Sequence, residues 1–163
     1  MSDDAPPKLH PIQLERVSVL EAEFKAYRTV GEDETPFESG EGQTRLAFGF
    51  TKYDTESKTI GIKATAEMGK KIKDADTDEM PDSPFHLKIS VIASFEVNED
   101  AFDIQHIDSW ARSNAGLLVY PYLREHVHGL TIRFGFPAVL LPLLQIPTFK
   151  NPSPSDASKS DES

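Results

Sequence analysis

The side chains able to do chemistry are five histidines and 27 carboxylates, with no cysteine. His126 and His128 stand two residues apart, which on a helix turns them roughly 200° away from one another, so they cannot share an ion. His86 and His106 have no partner at ligand spacing, and His10 stands alone. The cluster a metal site needs is missing, and no cofactor is expected. There is no Gly-x-Ser-x-Gly elbow, and Gly69-Lys70-Lys71 lacks the upstream glycine of a phosphate loop. The carboxylates gather in runs at 32–41 and 74–82, as solvated charge does, and not as a paired acid and base. No catalytic residue stands out, and an enzyme is the least expected class.

Composition narrows the remaining classes. The 163 residues suit one domain with a sizeable core. A formal net charge of -10 argues against nucleic acid, whose phosphates need clustered Lys and Arg. The absence of cysteine excludes disulfides and fits a reducing compartment. MSDDAPPKLH has no apolar run of the kind a signal peptide needs. The apolar run 136–147 is twelve residues broken by three prolines, too short for a membrane span. A cytoplasmic protein with no membrane insertion is expected.

The elements that would position a site are read from periodicity. Val119, Leu123, Val127, Leu130 and Phe134 recur at helical spacing and form one apolar stripe. Pro121 inside that helix should cost roughly 3 kcal/mol, so the helix is expected to start or kink there, with Ser113 or Asn114 as cap. Gly135 and Pro137 end it. An extended ribbon follows in which every residue from Phe136 to Pro147 except Gln145 is apolar or proline. Upstream, Leu46/Phe48/Phe50, then Ile60/Ile62/Ala64/Ala66/Met68, then Phe85 to Val97 alternate as strands, the first two joined by a short turn at 53–58. A brief helical turn is expected at Asp103–Ile107. Segment 9–28 reads either as a helix or as a strand whose parity slips at a bulge. Residues 1–8 and 150–163 are expected to be loose, with one domain over 9–149.

Tyr120-Pro121-Tyr122-Leu123-Arg124-Glu125, followed by Arg133, Phe136 and Pro137, resembles the SecB export-chaperone family. That family opens its long helix with aromatic-Pro-Tyr-x-Arg-Glu and leaves it through Arg-x-x-Phe-Pro at the same spacing. Ile12-Gln13, Arg16 and Phe24 match its first strand, and the order of elements agrees over about residues 9–147. The resemblance implies an α+β fold, a four-stranded antiparallel sheet packed by the long helix, with segment 9–28 a strand. It also implies a homotetramer built as a dimer of dimers that holds unfolded polypeptides without ATP. By position, Leu46, Phe48 and Phe50 fall where the family's second strand lines its client groove. Tyr122, His128 and Ile132 fall on the face that pairs dimers. Glu21 retains one acid of the patch that docks the export motor SecA, but Lys25 and Lys88 replace acids there, and the family's second helix is broken by Pro142 and Pro147. Such departures suit SecB-like members that guard toxin–antitoxin systems.

The residues themselves point the same way. One helix and four strands offer little area to hide the ribbon, so Phe136, Val139, Leu141 and Leu144 are expected to join the client surface. The function expected is an ATP-independent holdase for unfolded or pre-secretory chains, with export through SecA a doubtful addition. The rivals are an adaptor dedicated to one partner such as an antitoxin, and a carrier of apolar small molecules in the sheet–helix crevice.

Overall fold

The computed structural model describes residues 8–28, 44–69 and 83–144. Four strands, β1 (Ile12–Ala26), β2 (Thr44–Phe50), β3 (Thr59–Met68) and β4 (Phe85–Val97), form one antiparallel sheet in the spatial order β1-β4-β3-β2. The expected α+β arrangement is therefore found. The acidic stretches 32–41 and 74–82 lie outside the described residues.

Segment 9–28 is a strand. Its register against β4 shifts between Leu14 and Arg16 and again between Val19 and Glu21. Each shift absorbs one extra residue, so Ile12, Leu14, Val17, Val19, Ala22 and Phe24 all oppose the inward-facing residues of β4. The slips of parity in the sequence are these two bulges. Helix propensity loses here because β4 supplies a full ladder of partners.

The core lies on one face of the sheet. Ile60, Ile62, Ala64, Ala66 and Met68 of β3 are buried there with Phe85, Leu87, Ile89, Val91, Ala93, Phe95 and Val97 of β4. Strict alternation places all twelve on the same side. Over them lies a helical arm: a turn at Ile104–His106, α1 (Ile107–Trp110), a π turn at Ala111–Ala115, and α2 (Gly116–Arg133). Asp103 caps the first turn by accepting from the Gln105 N–H at 3.0 Å.

The arm corrects the expected helix start. It is already helical at Ile107, Pro121 lies inside α2, and neither Ser113 nor Asn114 is a cap. Asn114 instead donates its side-chain amide to the Trp110 carbonyl at 3.3 Å. Ile107, Trp110 and Ala111 are buried upstream of the proline, while Val119, Tyr120 and Leu123 are buried around and beyond it. Packing on both sides holds the arm helical despite the N–H lost at Pro121, whose ring faces solvent. The buried stripe continues from Val127 to Thr131 and not to Phe134, which lies past the last residue of α2 and is half exposed against Phe24.

The exit of α2 follows the sequence. The Gly135 N–H donates to the Ile132 carbonyl (2.9 Å) and the Phe136 N–H to the Thr131 carbonyl (3.0 Å), with Gly135 at φ 78°. This is a Schellman turn, which requires the left-handed residue that glycine supplies. Residues 136–144 then run back along the helix without regular structure. Three side chains of α2 hold them. Thr131 Oγ1 accepts from the Val139 N–H at 3.1 Å, Arg124 Nε donates to the Leu141 carbonyl at 3.0 Å, and the Tyr120 hydroxyl donates to the Pro142 carbonyl.

Candidate peptide-binding groove

β2 is an edge strand, and its register sets Leu46, Phe48 and Phe50 against Ala66, Ala64 and Ile62, on the face that carries α2. The Thr51 N–H donates to the Gly61 carbonyl at 2.8 Å, so residues of odd number in this strand point their backbone groups at β3. By alternation, Leu46, Phe48 and Phe50 direct their N–H and C=O groups outward, where no described strand pairs with them.

Phe48 packs against the start of α2 at Gly116. A Cβ at Gly116 would stand 3.3 Å from its ring, so the glycine lets ring and helix backbone meet. The Tyr120 ring stands 6.4 Å away from Phe48, and the Arg112 guanidinium sits 5.5 Å above the Phe50 ring. Between β2, the π turn and the first turn of α2 opens a groove of ≈ 420 Å³. Ile62, Ala111, Leu117 and Leu144 complete its apolar lining, and Arg112 is the one charged residue among those that form it. Phe48 and Phe50 keep 43% and 37% of their surface exposed, so the aromatic wall is open.

The structure divides the ribbon residues assigned to clients by sequence. Leu144 lines the groove. Phe136, Val139 and Leu141 are sealed in the core, Phe136 among the rings of Phe24 and Phe85. Leu46 is half-buried against the core, and the large ribbon side chains left exposed are Leu140 and Leu143. Hydrophobicity alone could not separate these, because the path of the ribbon over α2 decides which of its side chains turn inward. Sequence reasoning also missed Arg112 and Gly116. The signal for the glycine was its position one helical turn before Tyr120.

On the outer side of α2, Tyr122 and Ile132 are exposed and His128 is half-buried. Leu118, Tyr122, Gly129 and Ile132 share one stripe at helical spacing, with nothing within 4 Å of a Cβ built on Gly129. A second hollow, of ≈ 490 Å³, lies at the N-terminal end of this stripe between His10, Leu14, Trp110 and Tyr122.

The opposite face of the sheet is polar. Glu21, assigned by resemblance to a SecA-facing patch, forms an ion pair with Lys88 at 2.9 Å, and hydrogen bonding to Glu21 holds the lysine pKa above its usual value. His86, fully buried, lies between Glu67 (Nε2 to Oε1, 3.1 Å) and Glu23 (Nδ1 to Oε1, 3.7 Å). The two carboxylates address opposite ring nitrogens and cannot converge on one ion. Among the described residues no group of three ligands could hold a metal. No helix among them is long and apolar enough to cross a membrane.

No protein-family model matches the sequence, and no curated protein matches it. Solved structures do. The SecB-like chaperone Rv1957 of Mycobacterium tuberculosis, in complex with a ChAD peptide from the Rv1956 HigA1 antitoxin, aligns with a TM-score of 0.59 over 85% of this chain and 94% of its own, at 17% identity. A protein of unknown function from Streptococcus agalactiae aligns at a TM-score of 0.40 and 17% identity over 81% of this chain and 97% of its own. The fold defined by the sheet order and the packed arm is thus the SecB-like fold. In architecture this chain resembles the mycobacterial SecB-like chaperone.

Proposed function

We propose that this chain is an ATP-independent chaperone that holds extended, apolar polypeptide segments in the groove between β2 and the arm. The observation that carries the reading is the pairing of an open aromatic wall, Phe48 and Phe50, with a strand edge, formed by the same residues, that no described strand pairs. An extended client can add main-chain hydrogen bonds along β2 while alternate side chains enter the groove. Burial of about 200 Å² of apolar client surface stabilises the complex by about 5 kcal/mol before ordering costs. That is enough to hold a chain without strict sequence readout. Phe48, Phe50 and Leu144 form the contact, with Leu46 behind them, and the exposed Leu140 and Leu143 extend it.

The outer stripe of α2 supports an assembly of copies. Tyr122, His128 and Ile132 meet their equivalents there, and Gly129 lets the helices approach closely, giving a tetramer built from dimers. Delivery to SecA is not part of the proposal, because Lys88 neutralises Glu21 on the face in question.

The experiment is suppression of aggregation of a refolding client, measured without nucleotide. Wild type should suppress at a stoichiometric dose, and Phe48→Asp with Phe50→Asp should not, at an unchanged far-ultraviolet spectrum. A wild type without suppression would refute the holdase reading. One observation favours a second reading: the mycobacterial SecB-like chaperone is in complex with a ChAD peptide from an antitoxin. A dedicated adaptor would bind one segment tightly and saturably and hold unrelated unfolded proteins poorly.

A further inference from the structure

Arg112 is the residue of the groove that apolar clients do not explain. Its guanidinium is held over the Phe50 ring at 5.5 Å, and among the described residues no carboxylate pairs with it. Every other residue forming the groove is uncharged. An exposed cation resting on an aromatic ring at the edge of an apolar slot, with no described residue hydrogen-bonded to its N–H fork, can receive a carboxylate. The position of the carboxylate follows from the strand. Phe48 and Phe50 are two residues apart and face the same way, and so are alternate residues of an extended client lying beside them.

We propose that Arg112 makes the groove select client segments with an acidic residue two positions from the apolar anchor that rests on Phe48. This deepens the reading of the groove as a polypeptide site and rests on it. It runs against the chain's overall electrostatics. A net charge of -10 attracts basic clients and repels acidic ones, so the whole-protein field and Arg112 order the same peptides oppositely.

The test uses dye-labelled decapeptides with a leucine anchor and Glu, Gln or Lys at both positions two residues from it, so that either client direction presents the charge to Arg112, titrated against the full chain by fluorescence anisotropy. Wild type should bind the Glu peptide about two- to five-fold tighter than the Gln peptide at low salt, with the Lys peptide weakest. The preference should vanish near 1 M salt, where screening acts within about 3 Å. Moving Glu to the position next to the anchor turns it to the other side of the extended client and should abolish the gain. Arg112→Gln should reverse the order to Lys over Glu, whereas Arg112→Lys should keep Glu first. Equal affinities for the Glu and Gln peptides in wild type, or a Glu preference that survives in Arg112→Gln, overturn the proposal while leaving the groove a peptide site. Failure of all three peptides to bind overturns both.

Discussion

Thr131→Val isolates the contact that holds the ribbon to the helix. Thr131 is fully buried in the last turn of α2; its hydroxyl donates to the His128 carbonyl at 2.9 Å and accepts from the Val139 N–H at 3.1 Å. Valine keeps the branched shape and has similar helix propensity, so the change removes an oxygen and little else. The carbonyl of His128 belongs to the helix ladder and is not orphaned. The Val139 N–H is orphaned, in a residue only 5% exposed, where water cannot take over. An unsatisfied buried donor costs about 1–3 kcal/mol. For a chain of this size that lowers the melting temperature by about 2–12 °C. Thermal unfolding followed by circular dichroism measures the shift, and amide exchange reports on Val139 directly. Its protection should fall in Thr131→Val and persist in Thr131→Ser, which keeps the oxygen. A Thr131→Val protein that melts with wild type and protects Val139 equally well would show that the hydroxyl does not hold the ribbon.

Gly135→Ala tests the Schellman exit. Space around the site is open but φ is +78°, so the cost is conformational, about 1–2 kcal/mol in a denaturant titration. Burial first, and then a hydrogen bond donated to Glu99 at 2.9 Å, push the Tyr53 hydroxyl up to about 12. The folded state therefore holds that proton more tightly than the unfolded one. The associated stability is present below about pH 10 and is lost as pH rises through about 12. Tyrosinate absorbance should show this late step, and Tyr53→Phe should remove it. Ile132→Asp, on the outer stripe of α2, should lower the mass found by light scattering as pairs of dimers separate; an unchanged mass would place the interface elsewhere.

Much of the fold could be read from residue order because its signals are periodic and local. β3 and β4 announced themselves by alternation; segment 9–28 read equally as a helix or as a strand of slipping parity, and the structure decides for the strand, with register shifts at Leu14/Arg16 and Val19/Glu21. Gly135 ended the helix as its missing Cβ allows. Less of the site was legible. Leu46, Phe48 and Phe50 were visible as one face of a strand, but not which of them stays open. Val139 and Leu141 looked no different from Leu140 and Leu143. Arg112 sat in a polar stretch with nothing in its neighbours to mark it.

The chain by itself determined the period of each element, the acidic charge and the surplus of apolar side chains, since these depend on residue identity and spacing. Only the tertiary structure decided that the arm stays helical through Pro121, that Phe136, Val139 and Leu141 of the ribbon are buried, and that a cation rests on Phe50 beside an edge that no described strand pairs. Those outcomes depend on contacts between residues far apart in the chain: Trp110 on Phe95, Arg124 on Leu141, Arg112 on Phe50. Burial and pairing across such distances outweigh the local costs that the sequence displays.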